Sequence, residues 1–312
     1  MTRPFTIAHF SDVHLAPIEG FTLPYWNIKR TLGYLNWLRG RVRVHQRRVA
    51  DMIAADVREQ APQHIAVSGD LVNLGLPSEY RAARAWLDRL GEPHRVSVVP
   101  GNHDIYTGQL YGASCLEDWA PFMTPIGNGS ATISRSDGFP FVRRLNGVAL
   151  IGVNSAIPTP PFVAAGRVGA EQLSALGAIL EEARREGLAR VVMIHHPPLP
   201  GQAPPRRALA DAPALKTVLE QQGADLVLHG HNHTDTTVWL MSSRGAVPVC
   251  GIPSASASAA HKVEPLARYA LYTFEAAADG TAKPLIHRVT RGLAEPNGSV
   301  RELERRVMSP DA

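Results

Sequence analysis

Gly101-Asn102-His103-Asp104 is the stretch on which the reading of this chain turns. It follows an apolar run over residues 96–99 that reads as a buried strand, broken by Pro100 and Gly101. The four residues therefore lie on a tight loop at the carboxyl end of a strand, where open α/β sheets present their ligands. Asn and Gly alone would make such a turn; an imidazole and a carboxylate beside them are surplus to it.

Working outward, four more predicted strands end in residues of the same kind. Residues 6–10 run into Ser11-Asp12-Val13-His14, and residues 64–68 into Gly69-Asp70. Residues 191–194 lead to His195-His196-Pro197, and residues 226–228 to His229-Gly230-His231-Asn232-His233. Helical segments at 44–60, 78–90 (with Ser78 as cap), 170–187 and 214–222 fall between them, and strand–helix–strand alternation is the mark of a parallel sheet. Asn146-Gly147 predicts a hairpin between strands at 141–145 and 148–153. Short strands at 237–241, 247–250, 270–274 and 285–289 read as a second sheet, and residues 127–138 as a loop. The expected organisation is one domain over 1–291, with an aromatic and basic excursion at 18–44 and a polar, mobile tail at 292–312.

Parallel strands put their carboxyl ends along one sheet edge, so residues separated by most of the chain can converge there. The donors available are Asp12, Asp70, Asn102, His14, His195, His231 and His233. Two carboxylates, one amide and four imidazoles suit borderline first-row ions such as Mn²⁺, Fe²⁺ or Zn²⁺ rather than Mg²⁺ or Ca²⁺ alone. Seven donors exceed one such ion, but two sets of four sharing a bridging carboxylate make a two-metal centre, with ions roughly 3.5–4 Å apart. Seven of the thirteen histidines, His9, His45, His64, His94, His229, His261 and His287, read as core or surface residues.

Only Lys29, Lys216, Lys262 and Lys283 among the 32 basic residues are lysines. Arginine suits phosphate and carboxylate contacts, and a genomic composition bias yields the same preference. Cys115 and Cys250 lie in no disulfide or zinc-finger spacing. The first ten residues show no apolar leader, and no run is long enough to span a bilayer. The expected location is the cytoplasm, with peripheral contact to the inner membrane left open. That opening comes from residues 18–44, where Phe21, Tyr25, Trp26, Tyr34 and Trp37 accompany Leu32, Leu35, Leu38, Lys29, Arg30, Arg39, Arg41 and Arg43. One reading packs an apolar stripe on the domain with solvated arginines outside; the other is a lid beside the site, or a basic surface for an acidic lipid.

The ordered set Asp-x-His, Gly-Asp, Gly-Asn-His-Asp, His and Gly-His-x-His, spanning residues 12 to 233, resembles the calcineurin-like metallophosphoesterase family. The resemblance implies a sandwich of two mixed β-sheets flanked by helices, with a dinuclear site at one edge. It assigns Asp12, His14, Asp70 and His233 to one metal and Asp70, Asn102, His195 and His231 to the other. His195 is taken over His196 because the family's ligand stands two residues before a proline, here Pro197. It also implies that His103 assists the leaving group or stabilises the transition state, that Asp104 orients His103, and that a metal-bound hydroxide attacks in line without a covalent intermediate. The implied cofactors are two divalent ions, Mn, Fe or Zn, with Fe³⁺ admissible at one site.

Gly69-Asp70-Leu71-Val72-Asn73 with Glu79-Tyr80, Gly166-Arg167-Val168 with Gln172-Leu173, and His195-His196-Pro197-Pro198 are similar to bacterial cyclic-nucleotide and glycerophosphodiester phosphodiesterases. The long gap between Asp12 and Asp70, and Asn where that group commonly has Asp, depart from it. The excursion is instead similar to relatives that cleave the pyrophosphate of UDP-linked lipid precursors. The expected function is thus hydrolysis of a small phosphodiester, with a UDP-lipid pyrophosphohydrolase at the membrane surface as the alternative. Nuclease and non-catalytic metal-binding scaffold readings stand behind these. Nucleic acid is not an expected partner, since basic residues are scattered apart from the cluster at 29–48, and the oligomeric state is open. Arg206, Arg207 and His196 are the candidates for substrate binding.

Overall fold

The computed structural model describes residues 4–107, 114–126, 138–275 and 283–310, so the 127–138 loop lies, but for its last residue, outside the described residues. Each apolar run expected as a strand pairs in one of two six-stranded sheets. The first sheet runs β12 (Val300–Val307), β11 (Leu285–Leu293), β10 (Arg268–Glu275), β1 (Phe5–Phe10), β2 (His64–Val67) and β3 (Val96–Val98). The second runs β4 (Phe141–Leu145), β5 (Val148–Val153), β6 (Ala189–Ile194), β7 (Leu226–His229), β9 (Gly245–Gly251) and β8 (Thr236–Ser242). β1, β2 and β3 are parallel, as are β5, β6, β7 and β9. The hairpin forms at the expected turn, with Asn146 and Gly147 at φ 36° and 91°, the positive values that a two-residue turn between twisted strands requires.

Strand alternation builds two cores. In β6, Val191 and Met193 face one way and join Ile7, Ala66 and Tyr272 of the first sheet, filling the space between the sheets. Val192 and Ile194 face the other way, onto Leu176 and Leu180 of α6 (Ala170–Arg185) and Leu215 and Leu219 of α7 (Ala212–Gln222). A strand with both faces covered is apolar along its length, which is why residues 191–194 show no polar alternation; Arg190, at the strand's start, is buried only because Asp225 pairs with it at 3.1 Å. The other helices are α1 (Ile28–Asn36), a single turn α2 (Val42–Val44), α3 (Arg47–Glu59), α4 (Pro77–Leu90) and the short α5 (Cys115–Asp118). Among the described residues no helix is long and apolar enough to cross a membrane.

Three expectations change. The four carboxyl-terminal strands do not form a sheet of their own: β8 and β9 extend the second sheet, while β10 and β11 extend the first through an antiparallel pair with β1. Residues 300–307, read as tail, form the edge strand β12 on β11. Its charges, Arg301, Glu302, Glu304, Arg305 and Arg306, hide a strand from a hydrophobic pattern and at the same time protect an open edge from pairing further. Ser78 does not cap α4; Pro77 is its first residue, and Glu79 folds back to accept from the Leu76 N–H at 3.0 Å.

His64 of β2 is buried, pairs with the Ser97 hydroxyl at 2.8 Å, and is pushed down to about 3 by burial and by the Arg143 guanidinium. The unfolded chain takes up this proton near the ordinary pKa of 6.5 and the folded chain does not, so stability falls as pH drops from there toward 3. One such group costs about 2 kcal/mol between about pH 7 and 5. Urea unfolding of wild type and His64→Gln at both pH values is expected to show a smaller acid loss in the variant; equal losses would mean that His64 is not the source.

Candidate metal centre

Loops from both sheets meet at one edge, and their backbone is unusual. Asp12, His14, Asp70, His231 and His233 have φ of 55°, 42°, 55°, 70° and 55°, in the left-handed region that side chains disfavour. Five of the ten non-glycine residues with positive φ among the described residues are therefore expected site residues, a concentration of backbone strain that points to function. The loops also approach closely. A Cβ on Gly101 would collide with the Asp70 carboxylate, and one on Gly230 with the side chains of Ser11 and Asp12. Polar ties then cross from sheet to sheet: His195 Nδ1 reaches the Ser68 carbonyl at 2.7 Å, and the His231 N–H donates to Asp12 Oδ2 at 3.0 Å.

The seven expected donors come together. His233 Nε2 is 3.1 Å from Asp12 Oδ1, and His195 Nε2 lies 3.2 Å from Asn102 Oδ1 and 3.5 Å from Asp70 Oδ2. His14 Nε2 is 3.8 Å from Asp70 Oδ2 and 3.9 Å from Asp12 Oδ1, and His231 Nδ1 is 3.2 Å from His195 Nε2. Ligands about 2.0–2.2 Å from one cation lie at comparable mutual distances. Three groups, Asp12/His14/His233, His14/Asp70/His103 and Asp70/His195/His231, each bring their donor atoms within 4.8 Å of one another. Asp70 stands between His14 and His195.

The far ring nitrogens are occupied. His14 Nδ1 faces the Val72 carbonyl (3.2 Å), His195 Nδ1 that of Ser68, His231 Nε2 that of Arg207 (2.9 Å), and His233 Nδ1 the Glu264 carboxylate (3.1 Å). Each imidazole is thus oriented with one nitrogen held outside and the other turned into the cluster, the support that metal-ligating histidines receive. Electrostatics agree. Burial would raise the Asp70 carboxyl, but the His195 and His103 imidazoles outweigh it and hold it well below the usual range. In return, and against burial, Asp70 holds His195 up at about 9, while Asp12 and Glu264 hold His233 there. This donor set fits cations.

His103 and Asp104 part company. His103 Nδ1 is 2.6 Å from the Asn73 carbonyl, which turns Nε2 toward the cluster; Asp104 does not orient this ring. Asp104 instead accepts four backbone N–H groups, Asp70 and Gly101 on Oδ2 (2.7 and 2.8 Å) and Leu71 and Val72 on Oδ1 (2.9 and 3.1 Å). Adjacent residues on a tight turn point apart, so sequence proximity did not translate into contact. Glu79 serves the same loop by accepting from Asn73, Leu74 and Leu76.

A model of the calcineurin-like phosphoesterase family matches residues 5–235. The chain belongs to this family. Relatives include a probable cyclic nucleotide phosphodiesterase of Synechococcus, 27% identical over 208 residues that cover 66% of this chain and 69% of the relative. A cAMP/cGMP dual specificity phosphodiesterase of Mycobacterium tuberculosis is 27% identical over 64% of this chain and 54% of its own length. A glycerophosphodiester phosphodiesterase of Enterobacter lignolyticus is 29% identical over 57% and 58%. The chain thus spans little more than half of the last two. The fold is shared with a dimetal phosphatase from Danio rerio (TM-score 0.57, 16% identity, 96% of this chain and 98% of that one). It is shared also with purple acid phosphatase from yellow lupin (0.55, 13%, 99% and 54%). The sandwich expected from the sequence is this family's, and the enzyme class is metal-dependent phosphoric ester hydrolase.

In this phosphoesterase the cluster floors a cavity of about 550 Å³, and its walls sort the remaining candidates. Arg207 lines it and donates to the His231 carbonyl at 2.6 Å; Arg206 is exposed and away from it. His196 is buried behind the cluster, with Nδ1 on the Ser155 hydroxyl (2.8 Å) and Nε2 on the Ala164 carbonyl (3.1 Å), its ring centroid 4.5 Å from that of His231. Arg41, His45, His261 and Glu264 are among the wall residues that the sequence does not mark as site residues. None ends a strand, and sequence pattern alone places the two histidines in the core or on the surface. His45 lies 4.7 Å, ring to ring, from His14 and is fixed by the Ser254 and Ser256 hydroxyls.

The excursion is a flap beside the cavity, turned partly inside out from the first reading. Phe21, Tyr25 and Tyr34 pack on Leu74, Leu76 and Tyr106. Lys29 and Arg30 point inward to carbonyls, Lys29 to Tyr106 (2.6 Å) and Arg30 to Leu74 (3.1 Å) and Gly75 (2.7 Å). Leu23 and Ile28 are left 74% and 75% exposed, with Leu35 and Leu38 also outside.

Proposed function

We propose that this phosphoesterase hydrolyses small soluble phosphodiesters at the five-loop cluster, with two divalent cations. The observation that carries the reading is the set of seven oxygen and nitrogen donors whose imidazoles are each tied at the far nitrogen and open toward a shared centre. Asp12, His14, Asp70 and His233 would hold one ion, and Asp70, Asn102, His195 and His231 the other, with Mn, Fe or Zn the metals this mixture favours. Such a pair supplies, when bound, an acidified water, a clamp on the phosphoryl oxygens and charge neutralisation at the leaving oxygen.

The chain's own residues do the rest. Asp70, between the two sets, fixes their separation. His103, oriented by the Asn73 carbonyl, is assigned to the leaving oxygen or transition state. Asp104 and Glu79 keep the Asp70 loop rigid from behind. Diesters are favoured because the relatives are named for cyclic nucleotides and glycerophosphodiesters. With Mn²⁺, bis-p-nitrophenyl phosphate is expected to turn over faster than the p-nitrophenyl monoester, and His103→Ala to lower the diester rate by about 10²-fold or more. Turnover of the monoester alone would sink the diesterase reading.

A further inference from the structure

The flap does more than cover hydrophobic surface. Its α1 runs on into one turn of π-helix, Trp37–Arg41, a form that recurs at functional sites, and this turn carries the Arg41 guanidinium over the cluster. Nη1 lies 2.9 Å from His103 Nε2 and Nη2 lies 2.9 Å from His14 Nε2. Both rings are held at Nδ1 by carbonyls, so both offer a lone pair at Nε2, and Arg41 donates to each. The placement is built rather than incidental. Lys29 also reaches the Thr159 hydroxyl (3.0 Å), and a Cβ on Gly33 would strike the Tyr106 hydroxyl, so α1 lies against the loop that bears His103 at the closest approach available.

We propose that Arg41 is a substrate-binding residue that grips a non-bridging phosphoryl oxygen, an inference that rests on the phosphoesterase reading of the site. Nη2 loses its acceptor once the His14 lone pair is given to a cation, and an anionic oxygen at the cluster is the acceptor in reach. A planar guanidinium suits such an oxygen, and Nη1 stays on His103, coupling the grip to the residue assigned to the reaction. The flap thereby sets selectivity, since a substrate must present a free anionic phosphoryl oxygen on the side that Arg41 faces. Residues 18–44 lengthen the chain between Asp12 and Asp70, and delivery of this cation gives that length a purpose.

The test is calorimetric titration of inorganic phosphate into Mn²⁺-loaded wild type, Arg41→Ala and Arg41→Lys, with Mn²⁺ binding measured separately. Loss of one charge-assisted contact is expected to weaken phosphate about 10- to 100-fold in Arg41→Ala, with partial recovery in Arg41→Lys and unchanged Mn²⁺ stoichiometry. Arg41→Gln is read the same way should the alanine variant not fold. With the diester, the loss is expected chiefly in KM. Equal phosphate affinity in all proteins, a change in Mn²⁺ affinity alone, or no phosphate binding by loaded wild type would overturn the proposal. Because phosphate binding needs no turnover, a chain that hydrolyses no diester yet loses phosphate with Arg41 removes the diesterase reading and keeps this one.

Discussion

Asp70→Asn is expected to lower kcat/KM for bis-p-nitrophenyl phosphate by about 10³-fold or more, roughly 4 kcal/mol of transition-state stabilisation, in a chain that still folds. Asp70 Oδ2 lies 3.8 Å from His14 Nε2 and 3.5 Å from His195 Nε2, so this one oxygen faces both halves of the donor set. Its other oxygen accepts the His103 N–H at 2.8 Å. Asparagine keeps the size, and its carbonyl can keep the bond to His103. The NH₂ group then points at the centre, where it donates instead of accepting and carries no negative charge. Steady-state kinetics with the Mn²⁺ content measured on the same samples separates a lost ion from a lost rate; wild-type activity in the variant would contradict the bridging role.

Asp104→Asn is expected to act on stability first. Four buried backbone N–H groups converge on this carboxylate, and an amide can accept from only one side, so two donors lose their acceptor. At about 1–3 kcal/mol for each unsatisfied buried group, the cost is about 2–6 kcal/mol. Burial and the nearby Asp70 raise the Asp104 pKa, and the N–H donors oppose them by favouring the ionised form. Thermal unfolding is expected about 5–10 °C lower, with activity falling because the Asp70 loop loosens. Unchanged stability with a depressed kcat would instead restore the orienting role toward His103.

These two aspartates show what was legible in the chain and what was not. Asp70 could be read because a buried strand followed by Gly-Asp announces itself through period and punctuation, and the same signal exposed Asp12, Asn102, His195, His231 and His233. Parallel topology then forces strand ends together, so a one-dimensional pattern carried three-dimensional content. Asp104 sits one residue from His103, yet its side chain turns back to the loop amides, a choice made by backbone direction that spacing does not encode. Arg41, His45 and Glu264 reach the cavity from a flap and from loops, where no periodicity marks which side chain faces inward. In the flap the usual inference failed outright, because backbone carbonyls of residues 74, 75 and 106 gave Arg30 and Lys29 an inward partner and left leucines outside. β12 was invisible for the opposite reason: an edge strand bounded by solvent is stabilised by ladder bonds and tolerates charge.

The most direct test of the metal-dependent reading is a Mn²⁺ titration of metal-stripped wild type, following hydrolysis of bis-p-nitrophenyl phosphate. The seven-donor cluster predicts no turnover in chelator and a rate that climbs to its plateau as two ions bind per chain. Full turnover with the chelator present, or a plateau reached with no ion bound, would contradict it.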